Sequence, residues 1–192
     1  GWHAYTAQLI ERQKRMGLIP EDSEMVDWPD SLPEWDSFSE EAKEYLARQM
    51  EVNAAFLEHV DHHVGRVIDH LEALGELDNT LVIYLTADNG CTAEGTPTGT
   101  FSELLMQNGF PPLTMEQQLE KLEEYGGLEV WGGPDLANHY STAWAYASST
   151  PFQWTKQVAS HFGGTMSATA IRYPKEIEAR DERRRQFQND KD

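Results

Sequence analysis

Asp88, Asn89 and Gly90 follow one another directly after the run TLVIYLTA, and they form a group with the means for chemistry. Asp offers a hard anionic oxygen and Asn a neutral amide oxygen, the donor types that calcium and magnesium prefer. Gly90 frees the backbone to fold back so that both side chains can face one point. The triplet is also a turn signal, because Asn-Gly is the commonest two-residue hairpin connection. A hairpin calls for a second strand at once, and CTAEGTPTGT is a poor one. On pattern alone, metal ligation and a structural turn stand side by side.

Lys156 lies in TPFQWTKQVASHFGG, an aromatic, glycine-flanked setting. A lysine there can hold a phosphate or sulfate oxygen as a point charge, although a solvated lysine is the commoner outcome. His161 with Gly163 and Gly164 reads most simply as a tight bend into a following strand. His59 and His63 are four apart, a spacing that can share a zinc ion on a helix. At about 100° per residue, His59, His63 and His70 fall on the flank of an apolar stripe, where histidines are more often packed or solvated than metal-bound. His139 in ANHYST reads as structural. Cys91 is the only cysteine, which excludes an internal disulfide and a cysteine zinc site.

The elements that must position these residues follow from periodicity. Residues 4 to 16 read as a mixed polar helix stopped by Gly17. LIPEDSEMVDWPDSLPEWDS, with its prolines and acids, is a long surface connection. Ser37 and Glu40 offer a capping box for a long helix from residue 40 to 74. Its apolar stripe runs through Tyr45, Val52, Phe56, Leu57, Val60, Val64, Val67, Ile68, Leu71 and Leu74, with Gly75 as the stop. A short loop then leads into the apolar run, read as a buried strand. Helix, loop and strand in that order are half of an α/β unit with a parallel sheet. Residues 115 to 127 form a short acidic helix, a further short helix is expected around Trp144, and residues 167 to 174 are a second strand. In open parallel sheets ligands sit beyond the carboxyl ends of strands, where Asp88 and Asn89 fall.

The 192 residues suffice for one domain or a large piece of a bigger one, and 39% hydrophobic content with six tryptophans is globular. A formal net charge of -18 argues against a duplex nucleic-acid partner. No apolar run approaches the roughly 18 residues that span a bilayer. The chain opens inside a helical pattern and closes on RRRQFQNDKD, a charged run with no closing element, so the expectation is an internal piece of a larger protein.

Four segments resemble the sulfatase family, within the alkaline-phosphatase-like superfamily, and most closely its bacterial arylsulfatase branch. They are GWHAYTAQLIERQKRMGLIP, HVDHHVGRVIDHLEALGELDNTLVIYLTADNG, TAEGTPTGTF and HYSTAWAYASSTPFQWTKQVASHFGGT. The resemblance covers nearly the whole chain in the family's order. It implies an α/β fold in which residues 1 to 192 carry an incomplete central sheet with flanking helices. The N-terminal nucleophile-bearing part and the C-terminal part of the catalytic domain would lie outside. It implies hydrolysis of sulfate esters with a bound calcium ion and a formylglycine nucleophile made from Cys or Ser. Asp88 and Asn89 would then be metal ligands, and Lys156 would be the catalytic group that contacts the substrate sulfate. Family habit points to the periplasm or to secretion.

The family's nucleophile segment, Cys or Ser followed at fixed spacing by Pro and Arg, is absent. CTAEG at Cys91 lacks both, and STPFQ at Ser149 has Gln153 where Arg is needed. The early Asp-Asp pair, upstream lysine and histidines of the family are absent as well. Two oxygen ligands cannot make a calcium site, which wants about six. The isolated chain is therefore expected to hydrolyse nothing, its parent to be a sulfatase acting on a small aryl or sugar sulfate. Competing readings are a phosphodiesterase or phosphonate hydrolase of the same superfamily, and a non-catalytic module that uses its acidic surface and long helix to bind a partner.

Overall fold

A computed structural model describes residues 1–87 and 89–177. Asp88 and the residues after 177 lie outside the described set. In chain order the elements are helix α1 (Trp2–Arg15), α2 (Glu40–Ala73), strand β1 (Val82–Leu85), α3 (Glu103–Gln107), α4 (Met115–Tyr125), α5 (Thr142–Ser148), α6 (Phe162–Thr165) and strand β2 (Thr169–Arg172). Helices with a small sheet make the expected partial α/β fold. The chain divides into two compact units, Gly1–Val60 with Ala87–Ser167, and Asp61–Thr86 with the residues from Ala168 on.

Helix boundaries follow local chemistry. Gly17 and Gly75 take left-handed φ values of 66° and 71°. They let the next residue's N–H reach back to the helix, Leu18 to the Gln13 carbonyl and Glu76 to the Leu71 carbonyl. Thr114 and Gln117 form a reciprocal capping box at the start of α4, and Gly126 ends it in the left-handed conformation. The cap of α2 is Ser39, not the expected Ser37. Ser39 Oγ accepts from Ala42 N–H, whereas the Ser37 hydroxyl donates to the Glu34 carbonyl. A cap must precede the first helical residue directly, and Ser37 closes a preceding single-turn helix at Trp35–Ser37 instead.

The first unit is held by aromatic packing. Trp2, Leu46, Ala143, Trp144 and Ala147 form one buried cluster, with Trp28, Trp35 and Phe38 against it. Trp2 stacks on Trp28 and meets Trp35 and Trp144 edge-on, at centroid distances of 5.8, 4.8 and 5.6 Å. Trp144 Nε1 donates to the Leu46 carbonyl at 2.7 Å, joining α5 to α2. A second cluster of Tyr45, Phe101, Leu122 and Trp131 ties α4 to α2. Gln49, 1% exposed, bridges the loops that carry Thr98 and Ser141. Its amide donates to the Thr98 carbonyl and accepts from Ser141 N–H, both at 2.9 Å.

In the second unit β1 and β2 pair antiparallel, Val82 opposite Arg172 and Leu85 opposite Thr169. The sequence expectation was a parallel sheet. A parallel pair needs a crossover connection, and nothing in the sequence of either strand fixes that direction. Nor is β1 buried: Ile83 is 51% and Leu85 60% exposed. Apolar, β-branched residues fix the strand, but burial needs a covering layer on each face. Along α2, burial concentrates at Tyr45, Leu46 and Gln49, while Phe56, Leu57, Val67 and Leu74 are exposed.

Candidate functional site

In the first unit, three loops meet around Lys156. The turn that begins at Asn89 is closed by Gly90, whose N–H points to the Gly164 carbonyl at 3.4 Å. A Cβ on Gly90 would lie 1.4 Å from the Gly163 carbonyl oxygen, so only glycine allows this approach. One residue on, the Cys91 carbonyl accepts from Lys156 N–H at 3.0 Å. Gly163 N–H in turn donates to the Gln153 carbonyl, and a Cβ on Gly163 would meet the Trp154 carbonyl oxygen at 2.1 Å. Gly163 and Gly164, expected as a tight bend, lie instead in the single helical turn α6 (Phe162–Thr165) and form a glycine platform against which the Asn89 turn and the Lys156 loop both rest.

The lysine loop is held in unusual backbone. Trp154 and Gln157, on either side of Lys156, have left-handed φ values of 65° and 77°. Non-glycine residues there cost on the order of 1–3 kcal/mol each, and such strain clusters at functional sites. Trp154 is fixed by edge-on packing on Tyr146 and His161. Gln157 Nε2 donates to Glu94 Oε1 at 3.1 Å. The same oxygen sits 2.9 Å from Lys156 Nζ.

Glu94 was not legible as a site residue in the sequence; it sits in a polar loop with no spacing that ties it to residue 156. The structure secures that loop from below. Thr142 N–H donates to the Thr96 carbonyl at 2.8 Å, and the Thr142 hydroxyl to the Ala93 carbonyl at 3.2 Å. Gly95 lies so close to the Tyr140 carbonyl that a Cβ would stand 1.7 Å from its oxygen. Burial on its own would push the Glu94 carboxyl up. Hydrogen bonds from Lys156 and its own backbone, with the charges of Lys156 and His139, outweigh that and hold it below the ordinary carboxylate range. Its second oxygen, Oε2, is buried without a hydrogen-bond partner among the described residues.

Around this pair stand Tyr140, Cys91 and His139. Burial, reinforced by the charges of Cys91 and Glu94, pushes the Tyr140 phenol far above its ordinary range. Burial also pushes the Cys91 thiol up, against a hydrogen bond with Ser149. A thiol held protonated is a poor nucleophile, which agrees with the missing motif around it. Ser149 is itself buried, its hydroxyl donating to the Ala145 carbonyl at 3.0 Å. His139 Nδ1 lies 2.9 Å from the Tyr140 carbonyl, so that nitrogen carries the hydrogen. The ring is buried, as a structural reading expects.

Among the described residues no group of three or more His, Cys, Asp and Glu side chains could hold a metal ion. Of the two expected ligands, Asn89 is half-buried in the turn described above, and Asp88 lies outside the described residues. One amide oxygen does not fit a divalent cation by itself. His59, His62, His63 and His70 are exposed along α2, with Arg66 Nη1 donating to His63 Nδ1 at 2.9 Å. No helix among the described residues is long and apolar enough to cross a membrane.

Comparison with known proteins agrees with the resemblance. The model of the sulfatase family matches residues 8–190. An uncharacterized sulfatase of Schizosaccharomyces pombe is 38% identical over 169 residues, 86% of this chain and 27% of that protein. An arylsulfatase of Klebsiella aerogenes is 30% identical over 95 residues, 50% of this chain and 20% of that protein. The chain thus spans about a quarter of the length of these curated relatives.

Proposed function

The chain belongs to the sulfatase family, and on that premise we propose that its residues form part of the catalytic domain of a longer, arylsulfatase-type sulfuric ester hydrolase. In this reading Lys156 contacts the substrate sulfate, and Asp88 and Asn89 are metal ligands. The observation that supports it most is the backbone hydrogen bond from Lys156 to Cys91, two residues beyond Asn89. Together with the Gly90 and Gly164 contact, it brings the lysine loop against the turn that carries the amide.

A sulfate ester that loses an alkoxide builds negative charge on its sulfonyl and leaving oxygens. An ammonium group aimed at those oxygens stabilises the transition state more than the ground state. The family generally uses a divalent metal; a hard cation supplies further positive charge at the same oxygens. We take it to be calcium, held by Asp88 and Asn89 with further oxygens from outside these residues. The nucleophile, a formylglycine made from Cys or Ser, would likewise come from outside. A chain charge of -18 is an awkward match for a sulfated polysaccharide, which favours a small aryl or sugar sulfate.

The test is to assay a full-length protein that contains this chain, and the chain alone, with paired aryl sulfate and aryl phosphate esters. The full-length protein should hydrolyse the sulfate, and the chain alone should not. Lys156→Met should lower sulfate turnover by about 100-fold or more, the scale of one preorganised electrostatic donor. A full-length protein that keeps every other family motif yet shows no sulfate turnover would sink the reading. A strong preference for phosphate diesters would favour the phosphodiesterase alternative.

A further inference from the structure

We propose that Glu94 is a specificity-determining residue, whose carboxylate beside Lys156 selects singly charged ester substrates over phosphate monoester dianions. This rests on the reading that Lys156 meets the anionic end of the substrate. It goes beyond that reading because a lysine alone does not discriminate between sulfate and phosphate.

Glu94 is built into the site. Its Oε1 accepts from two consecutive residues, Lys156 at 2.9 Å and Gln157 at 3.1 Å. Gln157 makes that contact from a left-handed backbone of φ 77°. The Glu94 loop is pinned at Ala93 and Thr96 by Thr142, and the approach of Gly95 to Tyr140 leaves no room for a side chain. The side chains of the pair are only 37% and 29% exposed, for Lys156 and Glu94 respectively. Oε2 is buried with no donor to offset its charge among the described residues.

An anion that reaches Lys156 therefore meets an ammonium group already balanced by a fixed carboxylate. A sulfate monoester brings one negative charge; a phosphate monoester near neutral pH brings close to two, its second pKa being about 6. The repulsion from Glu94 scales with that charge. For an extra unit charge roughly 6 Å away, at an effective dielectric constant between about 20 and 80, it is worth on the order of tenfold in relative binding.

The experiment uses the full-length enzyme with three esters of one aryl leaving group: sulfate, phosphate monoester and phosphate diester. Glu94→Gln keeps the shape and can still accept from Gln157, while Glu94→Asp keeps the charge. In E94Q, kcat/KM for the phosphate monoester relative to sulfate should rise about tenfold. The diester to sulfate ratio should stay within about threefold, and E94D should leave both ratios near wild type. Should thermal melts show E94Q unfolded, Glu94→Ala is read for the same shift. A folded E94Q with an unchanged monoester ratio overturns the proposal. So does a diester ratio that rises with the monoester's, since the effect would not then follow charge. Lys156→Met separates this from the underlying reading. If that variant leaves sulfate kcat/KM untouched while E94Q shifts the ratio, the lysine assignment fails and charge selection by Glu94 stands.

Discussion

Gly90→Ala should disable the site through a steric conflict that can be sized from the structure. The new Cβ would fall 1.4 Å from the Gly163 oxygen and 2.6 Å from its carbonyl carbon, where ordinary contact begins at 3.4 Å. About 2 Å of separation must open, and both sides of the gap are backbone. Gly163 is itself closely packed, the Trp154 and Gln153 carbonyl oxygens standing 2.1 and 2.3 Å from where a Cβ on it would lie. The shift must pass either to Asn89 or to the loop of residues 153 to 157. A misplacement of about 1 Å at a catalytic constellation costs roughly 100-fold in rate. In the full-length enzyme, aryl sulfate kcat/KM should fall by at least that factor, with stability lowered by about 1–3 kcal/mol from overpacking. Gly65→Ala is the control. It sits in α2 with nothing within 4 Å of its Cβ, and it should raise stability by about 0.5–1 kcal/mol at unchanged activity. A Gly90→Ala enzyme within threefold of wild type would refute the claim that the turn and the platform are in contact.

Three further outcomes follow. Gln49→Leu strands the Thr98 carbonyl and the Ser141 N–H, so denaturant unfolding should show a loss of about 2–6 kcal/mol, one desolvation penalty of roughly 1–3 for each group. Trp2→Ala removes the ring at the centre of the aromatic cluster and should cost about 3–5 kcal/mol by the same assay; a loss under 1 would mean that α1 is not anchored there. For Glu94 the folded carboxyl is held below its ordinary value of 4.5. Its contribution to stability is therefore complete above that pH and is lost as pH falls through the folded value. Melting of wild type and E94Q from pH 7 to 3 should converge at the acid end, and a constant difference across the range would contradict the ion pair.

Local chemistry made much of the fold readable. The stops at Gly17 and Gly75, the start of the acidic helix at residue 115 and the short helix at Trp144 all depend on neighbours within one or two turns, and all stand where the pattern puts them, although the acidic helix ends at Tyr125 and not at 127. Strand direction and strand burial do not depend on neighbours. Pairing Val82 with Arg172 joins residues far apart in the chain, and nothing in VIYL encodes the orientation of its partner. The site divides in the same way. Asp-Asn-Gly and the lysine of PFQWTK could be singled out by type and by resemblance. Glu94 could not, because its pairing with Lys156 is created by loops held together through Thr142, Gly95 and the glycine platform.

An acidic chain proposed to meet an anionic ester poses an apparent conflict, which screening eases. Exposed charges more than a Debye length away, about 8–10 Å at physiological salt, are largely screened. What an incoming ester would experience is set mainly by groups within that radius, and at the candidate site these include Lys156 and Glu94, paired at 2.9 Å, with His139 nearby. A pair that nearly cancels gives weak attraction to any anion, so Lys156 alone cannot supply both binding and discrimination. On the proposed reading, cationic charge from outside these residues restores the attraction, and the carboxylate weights it by the charge of the substrate. That division of labour makes Glu94 and Lys156 separable by mutation: loss of the lysine weakens every anionic ester, whereas loss of the carboxylate changes their order.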